Sequence, residues 1–176
     1  MNLISVNSSI YISPLTESDG PLMAERINDK RIADNTLTIP YPYELSDAEL
    51  FIATAIAQKE STGTRNFAIR HYEEGLIGGI GQHFKYSMDS HKEEIGYWLS
   101  PDFWGQGIMT EAVSKFVEAI VENRGLIRIE APVFHHNLAS ARVLEKNGFE
   151  REGIMRKCYF KNDIYYNGVL YAKIID

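Results

Sequence analysis

Residues 95–112 read Ile95-Gly96-Tyr97-Trp98-Leu99-Ser100-Pro101-Asp102-Phe103-Trp104-Gly105-Gln106-Gly107-Ile108-Met109-Thr110-Glu111-Ala112. A strand ends here, a turn bearing two glycines follows, and a long helix begins. The helix reading rests on Met109, Ala112, Val113, Phe116, Val117 and Ile120, which place one apolar stripe along residues 107–122. The first turn of a helix leaves backbone N–H groups unpaired, and its aligned peptide dipoles add partial positive charge. Gly105 and Gly107 carry no side chain to keep a pyrophosphate from those donors. No Ser, Thr, Asp or Asn stands at the Gly-Gln-Gly turn, so no side-chain cap is expected there.

Two rival readings of this turn stay open at this level. The glycines could serve only a tight strand-to-helix connection. Alternatively they could belong to a dinucleotide-binding turn, with Glu130 as the ribose-binding acid. Against the latter, Thr110 stands where the third glycine belongs, and the turn follows several antiparallel-looking strands. The glycines of Leu76-Ile77-Gly78-Gly79-Ile80-Gly81 lie inside a strand and indicate bulges or close packing instead.

Outward from this point, strands are expected over 9–15, 66–72, 76–86 and 93–100. The last three follow one another through short turns and so should be antiparallel neighbours. Capping-rich segments open helices over 16–28 and 46–59. Beyond the central helix come a strand (127–133), a helix (138–146) and two strands (149–160 and 164–174). The order β-α-α-β-β-β-α-β-α-β-β describes one α/β domain over residues 1–176, with a mixed, mostly antiparallel sheet and a parallel crossover in its middle.

The helix His136-Asn137-Leu138-Ala139-Ser140-Ala141-Arg142-Val143-Leu144-Glu145-Lys146-Asn147-Gly148-Phe149 has both ends written in sequence. Asn137 is a good N-cap and Gly148 a good C′ residue. Ser140 lies one turn after Asn137, so the two side chains can face one way. Taken alone, these residues are better explained by a purely structural role, capping and backbone bonding.

Together the two segments resemble the GNAT superfamily of N-acetyltransferases, whose pyrophosphate motif runs Gln/Arg-x-x-Gly-x-Gly/Ala. The Glu94-Ile95-Gly96-Tyr97-Trp98-Leu99-Ser100-Pro101 run is similar to its RimJ/RimL-like branch, which acetylates ribosomal-protein N-termini. The resemblance implies an acyl-CoA N-acyltransferase fold in which the pantetheine arm of acetyl-CoA lies between two splayed strands. It implies that Leu99 and Ser100 present backbone to that arm. It implies that Gly105, Gln106, Gly107, Ile108, Met109 and Thr110 hold the pyrophosphate. It further implies that Asn137 contacts pantetheine, that Ser140 donates to the departing sulfur, and that Glu94 accepts the amine proton. Trp104 replaces the usual Gln/Arg, Met109 the usual Gly/Ala, Leu144 a tyrosine found in polyamine-acetylating relatives, and Tyr159 a carboxylate of the ribosomal-protein branch.

An amine must lose a proton before it attacks, since its pKa is about 7.7–8.0 for an α-amine and about 10.4 for an alkylamine. A carboxylate is the simple acceptor. Strand alternation puts Glu93 and Glu94 on opposite faces, so at most one serves. Acceptor selection is expected in the Tyr41-Pro42-Tyr43 loop and the hairpin at Lys161-Asn162-Asp163, with Tyr165 and Tyr166 nearby. Three functions remain in view: acetylation of a protein α-amine, acetylation of a small amine (a polyamine or an aminoglycoside), and non-catalytic sensing of acyl-CoA.

Composition narrows the field. The chain has 176 residues, 44% apolar and 24% charged, with a formal charge of −6. That balance argues against a protein built to bind nucleic acid or an anionic membrane. Cys158 is the one cysteine, so no intrachain disulfide or Cys-rich metal site is available, and a packed strand position is expected for it. The five histidines show no metal-ligand spacing. No basic stretch precedes an apolar run in residues 1–15, and no segment approaches the roughly 18 apolar residues of a membrane span. The expected location is the cytoplasm, and the family resemblance allows a homodimer.

Overall fold

The structure, a computed structural model, describes residues 3–61, 64–83 and 91–175. Eight strands form one sheet in the order β1-β2-β3-β4-β5-β6-β8-β7. They are β1 (Ile4–Ser5), β2 (Ile10–Pro14), β3 (Arg65–His71), β4 (Gly75–His83), β5 (Lys92–Leu99), β6 (Arg128–Phe134), β7 (Glu150–Lys161) and β8 (Ile164–Ile174). The helices are α1 (Gly20–Ile27), α2 (Lys30–Asp34), α3 (Leu45–Ser61), α4 (Ile108–Arg124) and α5 (Leu138–Lys146). All pairings are antiparallel except β5–β6, the crossover that α4 supplies.

The expected elements are present, with three differences. The helix expected over 16–28 is split into a 3-10 turn (Glu17–Asp19) and α1. Pro21 has no N–H to give the Glu17 carbonyl, and the N–H of Gly20 bonds that carbonyl instead. Helix α2 is five residues long, too short for apolar periodicity to reveal, and starts where Asp29 accepts the N–H of Arg31 at 2.7 Å. The two-residue β1 likewise carries no pattern of its own and is defined by pairing with β2. The segment 84–86, expected to continue β4, lies outside the described residues.

One apolar layer lies between the sheet and helices α4 and α5. Ala112, Val113, Phe116 and Ile120 of the predicted stripe are fully buried in it, and Phe116 meets Phe67 edge-on at 5.6 Å. A second layer joins the other sheet face to α1 and α3 through Met23, Ile52, Ala48 and Leu76. Burial of this kind is worth about 1.5–3 kcal/mol per large side chain and holds both sheet faces rigid under the site.

The sheet opens where β5 and β6 part. They pair only at Lys92↔Arg128, Glu93↔Ile129 and Glu94↔Glu130, although β5 runs on to Leu99 and β6 to Phe134. Backbone bonds to β4 and β8 mark the parity: Ser100 N–H donates to the Ile77 carbonyl, and His135 N–H to that of Asn167. Odd residues of β5 and even residues of β6 therefore face each other. The next rung would need the N–H of residue 132, which is a proline. Pairing stops there, and the two strands run on unpaired with each other to Leu99 and Phe134.

Candidate active site

Gly107 is the N-cap of α4 with φ +81°, no side-chain cap is present, and Gly105 sits at φ +75°. Both are left-handed positions that L side chains resist. The expected open helix start is thus observed, and it faces a cavity of about 390 Å³ that the unpaired end of β5 borders through Tyr97, Trp98 and Leu99. Gly105, Gly107, Ile108, Met109 and Thr110 line it, and so do Leu99, Asn137 and Ser140. Gln106 does not; its amide turns back to donate to the Asp102 carbonyl at 3.1 Å. Ser100 is buried with its N–H committed to Ile77. The Leu99 carbonyl accepts the Trp104 indole N–H at 2.8 Å. By the same alternation the Ile95 carbonyl and Tyr97 N–H face the gap, two groups that the sequence reading does not name and that Pro132 could have signalled.

Among the described lining residues of this cavity there is no carboxylate, whereas Arg31, Arg142 and Lys146 are cationic. A polyanion is therefore matched locally despite the acidic chain. Trp104, standing where Gln or Arg was expected, carries Arg31 over its ring at 5.1 Å. Asp29 holds that guanidinium at 2.7 and 2.9 Å. Composition alone could not show that α2 brings a cation to this rim.

Asn137 does cap α5, accepting the Ser140 N–H at 3.1 Å, and it also lines the cavity. The Ser140 hydroxyl lies 2.8 Å from the Tyr97 hydroxyl, which also donates to the Ser140 carbonyl at 3.2 Å. Burial pushes the Tyr97 phenol well above its ordinary value, against the opposing effect of the bond to Ser140. The motif by itself assigns Tyr97 no role; strand alternation, which turns it toward α5, is the signal for one.

Glu94 is half-buried on the face of Gly96 and Trp98, at the last rung before the gap, with His83 as its β4 partner. It lines neither large cavity. Glu93, on the opposite face, is buried in the core side. Tyr159 packs tilted against Phe134, with ring centroids 4.8 Å apart. Burial, then the neighbouring Cys158 and Glu94, push Tyr159 up to about 12. Glu130 is no ribose ligand: it is buried in an ion cluster with Arg128 (2.7 Å) and Lys92 (3.2 Å) at the root of the gap. Burial raises its carboxyl, but the Arg128 and Lys92 bonds win and hold it below the ordinary value. Cys158, expected to be packed, is exposed, with its sulfur against Gly168.

A second cavity of about 470 Å³ lies on the α1–α3 face and meets the first at Thr36, Tyr97 and Trp98. Its floor is a glycine stripe. A Cβ on Gly79 would stand 2.5 Å from the Trp98 indole nitrogen, one on Gly81 2.5 Å from Asn66 Oδ1, and one on Gly96 3.4 Å from His83 Nε2. The close packing anticipated for the β4 glycines is what lays Trp98 and Asn66 along the cavity, while a Cβ on Gly96 would be in ordinary contact with His83. Of the loop residues expected here, Tyr43 lines it while Tyr41 and Tyr165 are exposed. Lys161 acts at a distance: its ammonium donates to the carbonyls of Ala33, Thr36 and Ile39 at 2.7, 2.7 and 2.8 Å, fastening the wall shared by both cavities.

An uncapped helix start, a cation-rimmed cavity and a split sheet define the GNAT acetyltransferase fold, and the chain belongs to that family: the model of the acetyltransferase (GNAT) domain matches residues 9–150. Among particular relatives, the uncharacterized N-acetyltransferase YoaA of Bacillus subtilis (strain 168) is 36% identical over 118 residues, 67% of this chain and 66% of its own. The ribosomal-protein-serine acetyltransferase of Escherichia coli (strain K12) is 37% identical over 104 residues, 59% of this chain and 58% of its own. The chain thus spans less than two thirds of the length of these curated relatives. Among solved structures, RimL, a ribosomal alpha-N-protein acetyltransferase in complex with coenzyme A, superposes with TM-score 0.89 at 22% identity, covering 99% of both chains. The acetyltransferase MccE, in complex with acetyl-CoA and AMP, gives 0.85 at 22%, covering 97% of this chain and 94% of its own. No helix among the described residues is long and apolar enough to cross a membrane.

Proposed function

We propose that this protein transfers the acetyl group of acetyl-CoA to a primary amine, with the α-amine of a protein, foremost a ribosomal protein, as acceptor. The observation that carries the reading is the open α4 N-terminus on the cavity that the unpaired end of β5 borders, among whose lining residues the Ser140 and Tyr97 hydroxyls meet. The residues fit acetyl-CoA: the N–H groups of 108–110 and the cations Arg31, Arg142 and Lys146 suit its phosphates, and the Ile95 and Tyr97 backbone suits an amide-bearing arm. Acetyl-CoA supplies the thioester.

In this reading the amine nitrogen attacks the thioester carbonyl carbon, the C–N bond forms, and the C–S bond breaks. Glu94, directly or through water, takes the amine proton. Ser140 donates to the leaving sulfur, and Tyr97 supports Ser140 from behind. The ribosomal acceptor is favoured by the activities of the Escherichia coli serine acetyltransferase and of RimL.

The test is mass spectrometry of peptides with free N-termini incubated with protein and acetyl-CoA. A gain of one acetyl group at the α-amine, reduced about a hundredfold in Glu94→Gln, supports both the reaction and the base. Calorimetry that shows acetyl-CoA binding without transfer to any amine would favour a sensor.

A further inference from the structure

We infer that the second cavity selects a singly charged acceptor whose amine is flanked by a bulky apolar group, such as a peptide N-terminus with an aromatic or branched aliphatic side chain in its first two residues. The inference rests on the acetyl-transfer reading above. It begins with position: the cavity joins the thioester side at Thr36, Tyr97 and Trp98, so what fills it is the acceptor.

Its chemistry comes next. Met23, Ile27, Ile39 and Tyr43 wall it, and α3 adds Leu50 and Phe51, which remain 69% and 39% exposed. Large apolar side chains left open at a cavity mouth mark a surface awaiting an apolar partner. Among the described lining residues Asp47 is the sole carboxylate, and its Oδ2 already accepts the Glu44 N–H at 2.9 Å. A polyamine or aminoglycoside would have to desolvate several ammonium groups here against one engaged acid, which is costly. A single amine directed at the gap avoids that cost.

The glycine stripe adds shape. Because Gly79 and Gly81 have no Cβ, Trp98 and Asn66 lie along the floor, and a flat or branched side chain gains depth. Asn66 and Trp98 also offer polar N–H groups near the floor, suited to a peptide carbonyl. Acceptor choice is thereby assigned to the α3 face and the β4 glycines.

The experiment measures kcat/KM for matched hexapeptides Ser-Phe, Ser-Leu, Ser-Glu and Ser-Lys extended by glycines, together with phenethylamine and spermidine. The Phe and Leu peptides should exceed the Glu and Lys peptides by about tenfold or more. Phe51→Glu should erase that preference, and Thr54→Trp, on an exposed helix position, should lower transfer to the bulky peptides most; melting curves verify that both variants fold. Transfer to phenethylamine but to no peptide keeps the apolar monoamine class and makes its source a small molecule. Equal rates across the peptides, or a preference for spermidine, overturn the inference while leaving acetyl transfer intact. No transfer to any amine overturns the underlying reading and this inference with it.

Discussion

The hydroxyls of Tyr97 and Ser140 stand 2.8 Å apart, one from β5 and the other from α5, across the gap between the parted strands. Tyr97 has one proton and two acceptors in reach, the Ser140 carbonyl and the Ser140 hydroxyl. Given to the carbonyl, it leaves the serine proton on Tyr97 oxygen. Given to the serine oxygen, it frees the serine proton for a departing sulfur. Burial keeps the phenol protonated, so it serves as a donor and not as an acid in its own right.

Ser140→Ala should therefore lower kcat about tenfold to a hundredfold with little change in acetyl-CoA affinity, and Tyr97→Phe somewhat less. The double variant should be close to Ser140→Ala alone, because the two act as a unit. Strict additivity in such a cycle would assign Tyr97 to packing.

Arg31 lies over Trp104 at the rim of the cofactor cavity, 5.1 Å from the ring centre. Arg31→Met should raise the acetyl-CoA Kd several-fold at low salt, and the difference should shrink as salt rises. Trp104→Ala should reproduce part of that loss through misplacement of the guanidinium. Calorimetry at two ionic strengths reads both effects.

Lys161 fastens three carbonyls of residues 33–39, and burial lowers its pKa from the ordinary value of 10.5. Lys161→Met should release that segment, seen as faster hydrogen exchange there, and raise KM for both substrates because the wall is common to both cavities. Its neutral form offers two protons for three carbonyls, so wild-type exchange in this segment should quicken as pH rises toward the lowered value. Unchanged exchange in the variant would reduce the lysine to a surface contact.

Asp19 and Arg70 form a buried bidentate pair at 2.6 and 2.8 Å that ties the first helical turn to β3. Burial raises the Asp19 carboxyl, yet bonds from Arg70 and Thr16 outweigh it and place it below 3.8. A native value below the unfolded one stabilises the fold above the unfolded value and loses that contribution as pH falls through the native one. Asp19→Asn should cost about 3 kcal/mol in urea unfolding at pH 7, and the gap to wild type should narrow as pH falls through the lowered native value. A pH-independent gap would remove the ionic part of this account.

The candidate site was legible where chemistry is local. The glycines of the α4 turn, the missing cap and the Asn137–Ser140 spacing are all short-range facts, and each is present in the fold. Glu94 and Glu93 separate onto two faces as strand alternation requires, because that period is a property of one strand. Ser100 and Gln106 enter the ligand surface only through the family resemblance, and the structure gives the Ser100 N–H to Ile77 and the Gln106 side-chain amide to Asp102.

What the sequence determined by itself is therefore the order of the longer elements, the antiparallel run followed by one crossover, and the open helix start, since periodicity, caps and glycines act within a few residues. Even the parting of β5 and β6 was written in it, as the missing N–H of Pro132. Tertiary structure alone decided which distant side chains meet: Tyr97 with Ser140, Arg31 with Trp104, Lys161 with residues 33–39, and Trp98 with Gly79. Such meetings depend on sheet register and on how helices lie across the sheet. Those are set by the whole packed core at once, and no short window of residues contains them.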